Sequence, residues 1–322
     1  MATPETLPGQ AFSLLIKHFI NTIKMKRTYL AKVLCGLSLS VIFLTACSGD
    51  DDADKVDKQV QNKMDSSNLA VGVSGKVFII PSPIQTAVLI QKSGASYDKA
   101  MLNGTDKSNS YSTKFQKCLN LGIYGADLGY TTLYDQTQDA IAYFNVTNKI
   151  ATDLGLSSAF DKSLIVRFQK NLGQKDSMLS LVSVAYRASN DFLKNNERNE
   201  EAALIIAGGW IETLQFAINV MKSKGGEDVK RRIAEQKNTL DNLILLLSAY
   251  QGNEEYAELL QKLSDLKSEY DKVGYKYTYQ APVTDEINKT TTITSKSEIT
   301  ITQENINAIG EKIAAIRGLI IA

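Results

Sequence analysis

Residues 199–223 read NEEAALIIAGGWIETLQFAINVMKS, and no other stretch of the chain constrains the architecture so strongly. Ala202–Ile211 is apolar on nearly every side, which is typical of a helix that other elements enclose. Two acidic residues stand near the start of the stretch, and Gly225-Gly226 follow its end, as at helix boundaries. The pattern therefore predicts a central helix from about Asn199 to Ser223.

Two helices with a strict heptad pattern follow this stretch. Apolar residues alternate by four and three from Val229 to Tyr250, and by three and four from Tyr256 to Val273. This spacing places one apolar stripe along each helix. Only Gln251-Gly252-Asn253 separates the two, and so short a connection allows only a reversal. The sequence thus predicts an antiparallel helical hairpin.

Further helices are predicted from the same periodicity and from residues that cap helix ends. They are a helix from Pro83 to about Gln91 with Gly94 as its stop, one or two helices over Ser112–Gly155 with a break near Asp135, a helix capped by Ser157 or Ser158 and running to about Lys170, a helix capped by Asp176, and a last helix from Gln303 to about Ile320.

After Gly274 the apolar period falls to two, which is typical of strands. Tyr275, Tyr277 and Tyr279 alternate with polar residues, and Thr290–Thr294 and Glu298–Thr302 flank a short polar turn. The predicted fold class is all-α, a single bundle of roughly eight to ten helices over residues 56–322, built from antiparallel helical hairpins with a small β-hairpin near the C-terminus. A helical-repeat solenoid is the alternative, although no fixed repeat period supports it.

Three glycines, Gly122, Gly125 and Gly129, recur at three- and four-residue spacing within one predicted helix. Each glycine in a helix costs ~1 kcal/mol relative to alanine. Their repetition predicts that another backbone packs very close to this face, and the helix that carries Gly208 and Gly209 is the expected partner. The alternative is that the glycines break the helix.

The N-terminal region carries a targeting signal. From Met25 the chain reads MKRTYLAKVLCGLSLSVIFLTACSGDDDAD, with cationic residues, an apolar run from Val33 to Leu44 and small residues before Cys47. The run is short for a membrane span, so residues 25–46 are predicted to be a signal peptide and residues 1–24 an over-long start. The ending Leu-Thr-Ala-Cys resembles the lipobox of bacterial lipoproteins, which implies acylation of Cys47. The alternative is a buried core helix followed by an ordinary thiol.

Residues 47–55 are predicted to form an acidic, solvated tether, because like charges repel and no apolar residue can seed a core. Its acidic run resembles the surface-export signal of Bacteroidetes lipoproteins, which implies a lipid-anchored place in the outer membrane, facing the cell surface. A plain spacer that faces the periplasm is the alternative. The export residues are Ser48, Gly49, Asp50, Asp51, Asp52 and Asp54.

Four further stretches, IPSP, LNLGIYGADLGY, GGWIET and IAAIRGLII, resemble a family of uncharacterised Bacteroidetes outer-membrane lipoproteins. The resemblance covers most of the chain after the signal peptide. It carries no activity, so it implies no catalytic residue.

The composition excludes several function classes for the mature chain. Removal of residues 1–46 takes away the only histidine, His18, together with five of the 36 basic and one of the 35 acidic side chains, which leaves a net charge of about −3. Without histidine there is no Ser-His or Cys-His nucleophile and no His-ligated zinc. The charge gives no attraction for nucleic acid. Cys118 is the one thiol left beside Cys47, and the sequence predicts no cofactor and no metal.

One polar constellation is a candidate site. Asp127, Tyr130, Tyr134 and Gln138 share a helix face if the helix continues through Asp135. Such groups either form a buried hydrogen-bonded network or line a cleft. Tyr124, Trp210 and Glu212 are further candidates for the same role.

Two function hypotheses follow. The first is a non-catalytic, lipid-anchored envelope protein that binds an unknown envelope protein or glycan, or that forms part of an envelope assembly. The second is a carboxylate-dependent, glycan-active hydrolase, for which two acidic groups at a suitable separation suffice. A pocket that holds two facing carboxylates favours the hydrolase, and a filled interior favours the binding protein.

Overall fold

The computed structural model describes residues 69–73, 76–80, 83–160, 162–250, 252, 254–285 and 289–322. The predictions for residues 1–24, the signal peptide 25–46, Cys47 and the tether 47–55 lie outside these residues. Nine α-helices are described, and they are α1 Pro83–Lys92, α2 Lys114–Leu133, α3 Thr137–Asp153, α4 Lys162–Lys170, α5 Lys175–Asn195, α6 Asn199–Ser223, α7 Glu227–Ser248, α8 Glu254–Tyr270 and α9 Gln303–Ile320. The predicted all-α bundle is confirmed.

The central helix is α6, with the predicted bounds. Every residue from Glu201 to Ile218 is buried. Among the described residues, only α6 has the length and apolar composition of a membrane span, and 89% of that window is buried within the protein. The apolar surface of α6 therefore packs inside the protein core. A solenoid would stack each helix on its sequence neighbours, whereas α6 packs most extensively on α2, which lies far from it in the sequence.

Two glycines allow α2 and α6 to meet backbone to backbone. A β-carbon at Gly122 would lie 2.0 Å from the carbonyl oxygen of Ile205, and one at Gly208 would lie 1.9 Å from that of Leu119. The predicted close contact is confirmed at these two positions. It is wrong for Gly125, which faces the hydroxyl of Tyr186 on α5, because a position three residues along an α-helix is rotated by about 60° from the face of Gly122.

The heptad helices α7 and α8 form the predicted antiparallel hairpin. The hydroxyl of Tyr270, at the end of α8, donates to the carbonyl oxygen of Ile233 near the start of α7 at 3.0 Å. The apolar stripe of α9 also faces inward, since Ile306, Ile309, Ile313, Ile316 and Ile320 are all buried.

Several helix boundaries differ from the predictions. The break after α2 is confirmed, because Asp135 adopts a left-handed conformation with φ 56°. Asp176 does not cap α5. The backbone N–H of Met178 donates to the carbonyl oxygen of Gln174, so the helix begins earlier and Asp176 lies in its first turn, where a carboxylate is favourable. Ser157 begins a short 3₁₀ turn that ends at Ala159, before α4.

The described strands form three two-stranded antiparallel sheets, of which the hairpin of β1 Leu69–Val73 and β2 Lys76–Ile80 was not predicted. Near the C-terminus, β3 Gly274–Thr278 pairs with β6 Lys296–Thr300, and β4 Val283–Asp285 pairs with β5 Thr290–Thr292. We call residues 274–285 and 289–300 the β-ribbon.

A small antiparallel sheet is confirmed, but the predicted pairing of Thr290–Thr294 with Glu298–Thr302 is wrong. Ser295 is not a turn residue. Its hydroxyl donates to the carbonyl oxygen of Gln280 and accepts from the N–H of Gln280, both at 3.1 Å. These bonds join the two ladders, so the later strands pair back to residues 274–285 instead of to each other.

Candidate functional site

A buried polar centre lies where α2, α6 and α9 meet. The guanidinium of Arg317 donates to both carboxylate oxygens of Glu212, from Nη2 at 2.7 Å and from Nε. The same Nη2 donates to the carbonyl oxygen of Met101 at 3.0 Å. Asp127 completes the centre, and neither Asp127 nor Glu212 has any solvent exposure. The geometry is the planar, forked pairing that arginine makes with carboxylates.

The surroundings of Asp127 favour the neutral form of its carboxyl group. Burial, followed by the nearby charge of Glu212, raises the pKa of Asp127 well above its ordinary value. One oxygen of Asp127 accepts from the backbone N–H of Asn103 at 3.3 Å, and the other has no donor as long as the group is ionised. A protonated Asp127 resolves this deficit, because its O–H donates to Glu212. The centre is then one ion pair plus one neutral acid.

The surrounding polar groups connect the centre to the segment before α2. Asn103 is the hub of these contacts. Its side-chain amide donates to the hydroxyl of Tyr111 at 3.0 Å, and its backbone carbonyl oxygen accepts from the hydroxyl of Tyr143 at 2.8 Å. The hydroxyl of Tyr124 donates to the carbonyl oxygen of Gly104 at 2.7 Å. Asn120 donates to the carbonyl oxygen of Ile320 at 2.9 Å, which ties the end of α9 to the same centre.

Tyr130 and Tyr134 hold the preceding loop. The hydroxyl of Tyr130 accepts from the backbone N–H of Asp98 at 3.0 Å, and that of Tyr134 donates to the carbonyl oxygen of Ala95 at 2.7 Å. Their rings lie 4.8 Å apart. Burial raises the pKa of Tyr130 to about 12, so the phenol remains neutral. Both tyrosines therefore act as clamps on residues 95–98.

Two of the predicted residues lie elsewhere. Gln138 is exposed on α3, because the chain reverses at Asp135 and the helix face required for the constellation does not continue. Trp210 donates from Nε1 to the side-chain oxygen of Gln236 at 3.0 Å, which links α6 to α7 away from the carboxyl pair. The structure thus brings Asp127 and Glu212 into contact and places Tyr124, Tyr130 and Tyr134 around the same loop.

Arg317, Asn103 and Asn120 were missed by sequence reasoning. Arg317 left a usable signal, since it is the one charged residue in the apolar run Ile313–Ile321. A lone charge on a buried helix face requires a partner. The two asparagines left none, because asparagine in a loop or near a helix start is common on ordinary surfaces.

The polar centre is enclosed. None of the three cavities described in this part of the chain is lined by Asp127 or Glu212. The described residues also contain no group of three or more His, Cys, Asp or Glu side chains that could hold a metal ion. The arrangement joins α2, α6 and α9 through hydrogen bonds, and both of its carboxyl groups are fully buried.

The β-ribbon has the opposite character. Among the residues whose side-chain exposure the structure describes, which leaves out β1 and β2, eight large apolar side chains are exposed, and five of them lie on the ribbon. They are Tyr275, Tyr277, Tyr279, Val283 and Ile293. Tyr275 is anchored, because its hydroxyl donates to the carbonyl oxygen of Ala234 on α7 at 2.5 Å. Tyr277 and Tyr279 are 65% and 69% exposed, so they project beyond this anchor.

No protein-family model, no curated protein and no solved structure matches this chain. The resemblance to outer-membrane lipoproteins stays a prediction. The site must therefore be interpreted from its own geometry.

Proposed function

We propose that the protein is a non-catalytic, lipid-anchored component of the cell envelope that binds a partner through the β-ribbon. The exposed ribbon is the observation that carries the proposal. Isolated exposed apolar residues are ordinary on protein surfaces, whereas a concentration of them is typical of an interaction site. Five of the eight exposed large apolar side chains in the described residues fall within 19 consecutive residues.

The backbone of the ribbon supports a polypeptide partner. Both of its sheets have only two strands, so every strand is an edge strand. Edge strands present N–H and C=O groups to which an extended peptide can add, and neighbouring side chains then supply specificity. Tyrosine suits this role because it offers a large rigid surface and a hydroxyl at low entropic cost. A glycan stacked on Tyr277 and Tyr279 is the alternative occupant.

The location is proposed from the N-terminal sequence. Cys47 is the acylated residue, and Ser48, Gly49, Asp50, Asp51, Asp52 and Asp54 form the export signal that places the domain on the outer face of the outer membrane. The glycan-active hydrolase is less well supported. Its two carboxyl groups must flank a bound sugar with room for chemistry, and Asp127 and Glu212 instead touch each other in a filled interior.

Site-specific photo-crosslinking tests the binding proposal. A benzoylphenylalanine at Tyr279 should give a discrete adduct with an envelope protein when cells are irradiated. The same residue at Leu245, which is 49% exposed on α7, is the matched control and should give none. A protease-resistant, glycosidase-sensitive adduct would indicate the glycan, and equal yields at both positions would contradict a ribbon site.

The anchor is tested separately. Cys47→Ala should release the protein from the membrane fraction and abolish incorporation of labelled fatty acid. Unchanged labelling would remove the lipoprotein proposal while leaving the crosslinking result intact.

A further inference from the structure

An apolar cavity lies among α2, α3, α4 and α5, on a different part of the bundle from the polar centre. It consists of two adjoining chambers of about 50 Å³ each, both partly open to solvent. The chambers share five lining residues, which are Leu128, Thr147, Phe160, Phe168 and Ala185. The remaining lining is also mainly aliphatic and aromatic. The two chambers therefore lie side by side in the bundle.

Ser189 is the exceptional residue of this lining. Its side chain is 7% exposed and its hydroxyl has no hydrogen-bond partner. The other hydroxyls nearby are satisfied: Thr147 donates to the carbonyl oxygen of Tyr143 at 2.7 Å, and Ser183, on the same helix as Ser189, donates to that of Leu179 at 3.1 Å. A helical serine commonly bonds back in this way. The hydroxyl of Ser189 is therefore available to hydrogen-bond a molecule in the cavity.

Water is a poor occupant of this space. A buried water needs two to four polar partners, and apolar cavities of roughly 150 Å³ stay dry and take up hydrocarbon. The lining offers one free hydroxyl. The cavity is also too small in each chamber for a bulky ring, so its shape and chemistry favour a slender apolar ligand that has one polar group.

We propose that this cavity binds a single aliphatic chain, such as a fatty acyl chain, with the polar end of the chain hydrogen-bonded to Ser189. The chain can come from a free fatty acid or from a membrane lipid. The site itself does not depend on acylation, because residues of α2 to α6 and Phe160 line it.

A calorimetric titration tests the site. The full chain with Cys47→Ala, which carries no acyl group of its own, is titrated with dodecanoic acid as the probe. Saturable binding is expected. Ala185→Phe fills both chambers and should weaken binding by at least about tenfold, whereas Ala188→Phe, half-buried on the same helix and outside both linings, should change it less than about twofold.

Ser189→Ala gives a second readout that does not depend on overpacking. It removes an unpartnered hydroxyl, so the fold should be retained, and binding of the probe should weaken by about three- to tenfold. A chain that does not bind the probe, or an affinity that is the same in wild type, Ala185→Phe and Ser189→Ala, would overturn the proposal. A fatty acid retained by the Cys47→Ala chain in native mass spectrometry identifies a free fatty acid as the source, and a retained phospholipid identifies a membrane lipid.

Discussion

The β-ribbon and the contact between α2 and α6 differ in where their apolar side chains lie. Those of the helical contact are buried, and several of those on the ribbon are exposed. At Gly122 and Gly208 the two helices touch through their backbones, and nearly all side chains around them are buried. On the ribbon, Tyr277 and Tyr279 stand mostly in solvent and contribute little to any core. Changes in the first region should therefore alter stability, and changes in the second should alter binding while leaving stability unchanged.

The largest loss of stability is expected where the polar centre closes the helical contact. Arg317→Met removes the partner of a carboxylate that has no solvent exposure, so Glu212 must be neutralised or left unpaired. Breaking a buried pair in this way costs ~3–5 kcal/mol. Arg231→Met is the control, since its pair with Asp228 is mostly exposed and is worth ~0.2–1 kcal/mol. Equal midpoints for the two variants in urea unfolding would contradict the buried-centre account.

Gly122→Ala and Gly208→Ala should give the next largest effect. A methyl group at either position meets a carbonyl oxygen of the facing helix, and overpacking of this kind costs ~1–3 kcal/mol. Gly318→Ala is the matched control, because nothing lies within 4 Å of its position in α9, and there alanine should stabilise the helix by up to ~1 kcal/mol. Gly125→Ala should fall between them, since the side chain of Tyr186 can move. A higher melting temperature for Gly122→Ala than for wild type would contradict the close contact.

The protonation of Asp127 predicts a smaller, pH-dependent effect. Its pKa is raised in the folded state, so its contribution to stability is complete below the unfolded value near 4 and is lost as the pH rises through the folded value. Asp127→Asn keeps an N–H donor for Glu212 and removes the titration. The stability of the variant relative to wild type should therefore increase by up to ~1.4 kcal/mol per pH unit within that window. A constant difference between pH 4 and pH 8 would show that Asp127 is ionised in the folded protein.

The sequence was most informative where a pattern acts locally. The apolar run of α6, the heptads of α7 and α8 and the glycine at Gly122 each constrain one helix or one contact, and they predicted those features correctly. The partner of Gly125 and the pairing of β6 with β3 depend on which elements approach from far along the chain. Short threonine-rich strands fit several partners equally well, so periodicity alone did not select the observed register.

The polar centre shows the same division. Asp127 and Glu212 were recognisable because carboxylates on apolar helices are unusual, whereas Asn103 and Asn120 became part of the site only through tertiary contacts. The face that was expected to include Gln138 ended at Asp135, where a left-handed residue reverses the chain. The prediction for Gln138 required the helix to continue through Asp135, and the helix ends before that residue.

We propose that the ribbon provides binding and the helical contact provides stability. The double substitution Tyr277→Ser, Tyr279→Ser separates the two, and the tagged variant is measured for its urea midpoint and for its capture of an envelope partner. Exposed substitutions usually change stability by less than ~0.5 kcal/mol, so the midpoint should be unchanged while capture falls by more than about tenfold. Gly208→Ala should lower the urea midpoint and leave capture unchanged, provided that capture is measured at a temperature where the variant remains folded. Full capture by the ribbon variant, with an unchanged midpoint, would contradict the account.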